Sequence, residues 1–206
     1  MEDANDPEKP TIWKEAKDHV EKGNYDKAIE IYKYLLIRFG ENSIVVERAN
    51  ANLSDIYLKL KQPDMAEIHI NKAIKRVPGK PDYRYMLGFI YSTQYRWREA
   101  IPEFEAAVEA DPENTEFLRG LGWAQLNDGD KDKGMVCLHK AKALAPFDVT
   151  VLLDLAQAYL FNLDFDEAKR YARGAISLEP ENAFAQKVFG EICQAQKDYG
   201  SRHRLY

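Results

Sequence analysis

Cysteine is almost missing from this chain. Cys137 and Cys193 are the two in 206 residues, too few and too far apart for a disulfide framework. Both read as buried or half-buried free thiols. Histidine is scarce as well. His19, His69, His139 and His203 fall in different segments, none has a second ligand at metal spacing, and there is no HExxH run, so no metal and no cofactor is implied. No apolar stretch reaches the eighteen or so residues of a membrane span. The richest, 149–161, is cut by Asp154 and Gln157. The opening MEDANDPEKP is acidic and polar, unlike a secretory signal, and the closing SRHRLY matches no lipidation or retention signal. The expected compartment is the cytoplasm. Basic charge is in deficit, with 29 Lys and Arg against 34 Asp and Glu, a formal net charge of −5. That balance argues against nucleic acid, whose counterions must be displaced by clustered cations, and against an anionic membrane. No strand pattern precedes a glycine-rich loop, and the acidic pairs Glu103/Glu105 and Glu179/Glu181 read as solvated faces and inter-repeat turns. The expectation is a protein without catalytic activity.

What is present is a repeating helical pattern. The stretch PDYRYMLGFIYSTQYRWREAIPEFEAAVEADPEN, 81–114, places apolar and small residues at three- and four-residue spacing in two runs. Two amphipathic helices follow from that spacing. The polar interval 93–96 leaves room only for a tight antiparallel turn. Gly88 inside the first run costs helix stability, so its place there predicts a notch, with Ala100 of the second run seated against it. Ala100 recurs as Gly134 and Ala168 at thirty-four-residue steps, and as Ala66 one step back. Gly122 and Gly190 stand where Gly88 does and read as matching notches. The step from Ala28 to Ala66 is thirty-eight residues. Four extra residues are about one helical turn. They predict a longer third helix, starting near 42 or 43 and ending near 60. Asp164 and Glu167 have the spacing of a capping box.

A period in this range identifies a solenoid, and the residue types resemble the tetratricopeptide repeat family. The resemblance rests on Leu87, Gly88, Tyr91, Ala100, Phe104, Ala107 and Pro112, again on Leu121, Gly122, Gly134, Leu138, Ala141 and Pro146, and on two further copies through Leu53 to Pro78 and Leu155 to Pro180. A weaker first copy holds Ala16, Ala28, Tyr32 and Leu35. It implies an all-α, right-handed superhelical solenoid of antiparallel helix pairs. The expected organisation is a flexible leader over 1–10, pairs at about 9–42, 47–80, 81–114, 115–148 and 149–182, a capping helix over 183–198, and a tail over 199–206.

In that family the first helices of successive pairs line a concave groove. The residues expected to line it here are Trp13 and Lys17, Ala51 and Asp55, Tyr85 and Phe89, Arg119 and Trp123, Leu153 and Gln157, then Lys187 and Glu191. Leu126, Leu160 and Phe161 lie a turn further on. Tyr, Trp and Arg dominate binding energy at interfaces. The family resemblance therefore implies a protein or peptide partner, with an apolar or amphipathic segment held in the groove, and no membrane insertion. Two alternatives stand beside this scaffold role: a chaperone-like holder of clients, and a self-associating homo-oligomer. The aromatic residues could also be covered by the chain's own segments. Some family members clamp a C-terminal carboxylate with Lys and Asn side chains over three repeats. Of the matching positions here only Asn52 fits, while Asp82 has the wrong sign, so that mode is not expected.

Overall fold

The turn that closes each helix pair is the same hydrogen-bonded motif five times over. The computed structural model describes residues 9–40 and 42–203. In it the amide of Asn24 donates to the carbonyl of His19, Gln62 to Tyr57, Arg96 to Tyr91, Asp130 to Gln125, and Asp164 to Tyr159. The preceding residue in each case adopts a left-handed conformation: Gly23, Lys61, Tyr95, Gly129 and Leu163, with φ of 73°, 58°, 60°, 100° and 63°. This is a Schellman closure, which satisfies the carbonyls a helix leaves open at its end.

The described residues form eleven α-helices. They are α1 (Lys9–Glu21), α2 (Tyr25–Arg38), α3 (Ser43–Lys59), α4 (Pro63–Arg76), α5 (Pro81–Thr93), α6 (Trp97–Ala110), α7 (Thr115–Asp128), α8 (Lys131–Leu144), α9 (Val149–Phe161), α10 (Phe165–Leu178) and α11 (Ala183–His203). The longer third helix is present: α3 has 17 residues where α5, α7 and α9 have 13 or 14. Asn42 caps it by accepting from the amides of Ile44 and Val45. Asn114 and Asp148 cap α7 and α9 in the same way. Lys80 stands at this place before α5 and makes no cap hydrogen bond. Its ammonium goes instead to Glu47, at 3.0 Å, and to the Tyr83 hydroxyl.

The chain divides into two compact units, residues 1–110 and 111–206. In the first, α3 packs on α4 and α5 on α6, and the buried core runs through Ala28, Tyr32, Leu35, Leu53, Ile56, Ile70 and Leu87. In the second, α7 packs on α8 and α9 on α10, around Leu138, Leu155, Ala172, Val188 and Ile192. The periodic small residues Ala66, Ala100, Gly134 and Ala168 are all buried.

The notch at Gly88 holds an aromatic face: a Cβ on it would lie 3.0 Å from the Phe104 ring. Two local expectations need correction. Gly190 is no notch at all, since a Cβ there would meet nothing within 4 Å. The capping box forms only by half. Asp164 accepts from the Glu167 amide, while the Glu167 carboxylate turns to Arg170. The close backbone approach is at Gly122, whose added Cβ would sit 3.0 Å from the Gly134 carbonyl oxygen. The final helix also continues to His203 rather than ending near 198, so most of the expected tail is helical. Residues 1–8, nearly all of the expected leader, and 204–206 lie outside the described residues.

Candidate partner-binding face

Each expected site residue sits on the first helix of a pair, and each unit arranges its own set differently. In the first unit, Trp13 and Lys17 from α1 and Asp55 from α3 meet in one pocket of about 500 Å³. Its floor is Tyr32, only 2% exposed, whose ring lies 5.6 Å from that of Trp13 at 55°. Arg48 comes in from α3 and lays its guanidinium over the indole, 5.1 Å from the ring centroid. Such a stack attracts the cation to the negative face of the ring while leaving its N–H edges free. Asp55 pairs with Lys59 one turn on, and Lys17 lies 3.8 Å from Glu21. Burial, and after it the Asp55 charge, raises the Tyr32 phenol above its ordinary value, against the opposite pull of Arg48. The hydroxyl therefore stays un-ionised at neutral pH. Tyr85 and Phe89 are on α5 and do not line this pocket. Tyr85 is half-buried with its ring tilted on Phe104, 5.4 Å away, whereas Phe89 is 47% exposed.

In the second unit, Arg119 and Trp123 from α7 converge on a single carboxylate of α9. Asp154 accepts from Arg119 Nε through Oδ2 and from the Trp123 indole N–H through Oδ1, the latter at 3.0 Å. Trp123 is also half-buried against the core. These two side chains are thus held by their own chain. Leu153 is buried, 4% exposed, and belongs to the core rather than to any open surface. Leu126 is likewise buried, Gln157 and Leu160 are half-buried, and Phe161 is 49% exposed beneath the Lys131 ammonium. Lys187 and Glu191 form an exposed ion pair.

Sequence spacing missed the residues that organise both places. Arg48 stands near the start of α3, at the place that Asp82, Glu116 and Thr150 hold in later repeats, so the repeat pattern gave no sign of a cation there. Asp154 looked only like an interruption of an apolar run. Its signal was available: it stands thirty-five residues after Arg119, one repeat plus one position, on the neighbouring first helix. Among the described residues no group of three His, Cys, Asp or Glu side chains could hold a metal ion, and no helix is long and apolar enough to cross a membrane.

The sequence profile of the tetratricopeptide repeat matches residues 14–81, 85–135 and 153–201. The chain belongs to the tetratricopeptide repeat family. Its relatives include the BBSome complex member BBS4 of Bos taurus, 32% identical over 118 residues, a match that spans 57% of this chain and 22% of that protein. The curated relatives it matches are much longer proteins: the tetratricopeptide chain spans between 22% and 36% of their length. Among solved structures the fold is shared with PilW, a type IV pilus biogenesis factor, at a TM-score of 0.81 and 18% identity, over 97% of this chain and 90% of that one. It is shared too with YrrB, a tetratricopeptide protein with an unusual peptide-binding site, at a TM-score of 0.64 and 19% identity, over 84% and 87%. Protein partners are what this fold implies.

Proposed function

We propose that the chain is a non-catalytic protein-interaction scaffold that takes an apolar or amphipathic segment of a partner along the first-helix faces of its repeats. The observation that carries this is the first-unit pocket, where Trp13, Lys17 and Asp55 come together over an aromatic floor. Phe89, a large apolar side chain left 47% exposed on α5 of the same unit, adds to it. A pocket with apolar walls and a few convergent polar groups is the usual form of a recognition site. The peptide-binding site named for YrrB, a protein of the same fold, supports the same reading. The net charge of −5 supports a protein rather than a nucleic acid as partner. Two free cysteines support a reducing, cytoplasmic setting.

A random-peptide display selection against the full chain tests this. Peptides enriched on the wild type should bind Phe89→Ser about tenfold or more weakly, since burying an exposed aromatic contributes about 1.5–3 kcal/mol. They should bind Val136→Ser, an exposed apolar change on α8, as tightly as the wild type. Peptides indifferent to position 89, or a selection with no enrichment, would sink the reading. Light scattering over a range of concentrations separates it from self-association, which predicts growth of the particle with concentration.

A further inference from the structure

The first-unit pocket is basic on an acidic protein. Lys14, Lys17, Arg48 and Lys59 line it, against Glu21 and Asp55. The chain as a whole carries −5. The two acids are not spread evenly among the four cations. Asp55 is taken by Lys59 and Glu21 lies beside Lys17, whereas Lys14 and Arg48 have no carboxylate within ion-pairing distance among the described residues. Arg48 is also fixed in place by its stack on Trp13. A guanidinium oriented by an aromatic face and lacking an anion is a prepared carboxylate receptor: its donors need no reordering when the ligand arrives. Beside it the exposed part of the Trp13 indole and the half-buried Val20 form an apolar wall. Asn52 does not complete a clamp for a chain terminus, because its amide donates to the Arg48 carbonyl at 2.7 Å.

We infer that this pocket selects partner segments in which an internal Asp or Glu sits next to a large apolar residue, the carboxylate on Arg48 and Lys14 and the apolar side chain on the Trp13 wall. The inference rests on the interaction reading above and specifies its ligand. It differs from the sequence expectation of a merely apolar segment, because the two basic side chains without acids of their own would be desolvated at a cost under a neutral ligand.

The test uses the full-length protein and four synthetic ten-residue peptides in a Gly/Ser frame, with titrations followed by the three indole N–H signals of Trp13, Trp97 and Trp123. One peptide, acetylated and amidated, carries Asp-Leu-Glu-Phe. The second replaces the acids with Asn and Gln, the third with Lys, and the fourth is the neutral peptide with a free C-terminus. The acidic peptide should move the Trp13 signal, bind about tenfold or more tightly than the neutral one, and weaken as salt is raised. Arg48→Glu with Lys14→Glu should invert the preference toward the Lys peptide, with helicity by circular dichroism unchanged. Equal binding of acidic and neutral peptides would overturn the carboxylate inference and leave the interaction reading standing. Tighter binding of the free C-terminus would overturn the commitment to an internal acid. If no peptide moves Trp13 while peptides from the display selection still bind through Phe89, this pocket is not the site. If neither occurs, both readings fall.

Discussion

At the scale of single residues, the glycines of this chain look alike in the repeat and are not alike in the fold. Gly122 and Gly134 face one another where two helix backbones meet. A Cβ on Gly134 would lie 2.6 Å from Leu126 Cγ and 2.7 Å from the Gly122 carbonyl oxygen, so Gly134→Ala forces the helices apart. The expected loss is about 1–3 kcal/mol, more than the roughly 1 kcal/mol that alanine returns in helix propensity. Gly190 has open space around it in the middle of α11. Gly190→Ala is expected to stabilise by about 0.5–1 kcal/mol. Urea denaturation of the two variants against wild type checks both signs. A destabilising Gly190→Ala would show that the final helix is covered by something. The same contrast applies at the turns. Tyr95 and Leu163 hold the left-handed position that glycine holds in two other repeats, and both side chains point largely into solvent. The motif's hydrogen bonds outweigh the backbone strain there.

At the scale of helix pairs, α3 and α4 are joined by a buried polar seam as well as by apolar contacts. The Ser54 hydroxyl donates to the Ala66 carbonyl at 2.9 Å. His69, 6% exposed, stacks on Tyr57 and sits 2.8 Å from Asn50 Oδ1. Asn50 spends its amide group on the Val46 carbonyl, so its oxygen is the acceptor and the imidazole is neutral with the proton on Nδ1. Burial, then the charges of Lys72 and Lys33, lower the imidazole pKa to about 4. The folded value thus lies below the unfolded one. Stability is complete above about pH 6.5 and is lost as pH falls from there toward about 4, as the unfolded chain takes a proton that the folded chain refuses. The loss attributable to His69 is at most about 3 kcal/mol. Denaturation midpoints measured between pH 7 and 4 should fall less steeply for His69→Gln than for wild type, and parallel curves would remove this group from the account. Lys80 at the start of α5 shows a second trade at this scale. It gives up the cap that Asn and Asp supply elsewhere and instead joins Glu47 and Tyr83, which ties α3 to α5. Burial alone would push the Glu47 carboxyl up, but the hydrogen bonds from Tyr83 and Lys80 hold it below its ordinary range.

For the molecule as a whole, stability in a solenoid is a sum over neighbours rather than one shared core. Leu155, fully buried in the second unit, should cost about 2–5 kcal/mol when changed to alanine. Hydrogen exchange in Leu155→Ala should accelerate first in α9, α10 and α11, with α3 and α4 least affected. Uniform acceleration over the whole chain would mean a single cooperative unit and would contradict this division of stability.

The helices, their pairing and the longer α3 were legible in the sequence, because spacing and local propensity act through near neighbours on the chain. A thirty-four-residue period also sufficed for the family. Leu153 is the counterexample: its place in the repeat matched the open stripe, and only the packing of α9 within the second unit put it in the core. Arg119 and Trp123 were expected to face a partner, and Asp154 engages both; the one-repeat-plus-one spacing puts its carboxylate on the neighbouring first helix, but only the packing of α7 against α9 brings the three side chains together. Arg48 over Trp13, on which the character of the pocket depends, is likewise a contact across helices. Local sequence therefore determined which residues stand on which helix face. The tertiary structure decided which of them remain available to a partner, since availability depends on what each side chain meets from a neighbouring helix.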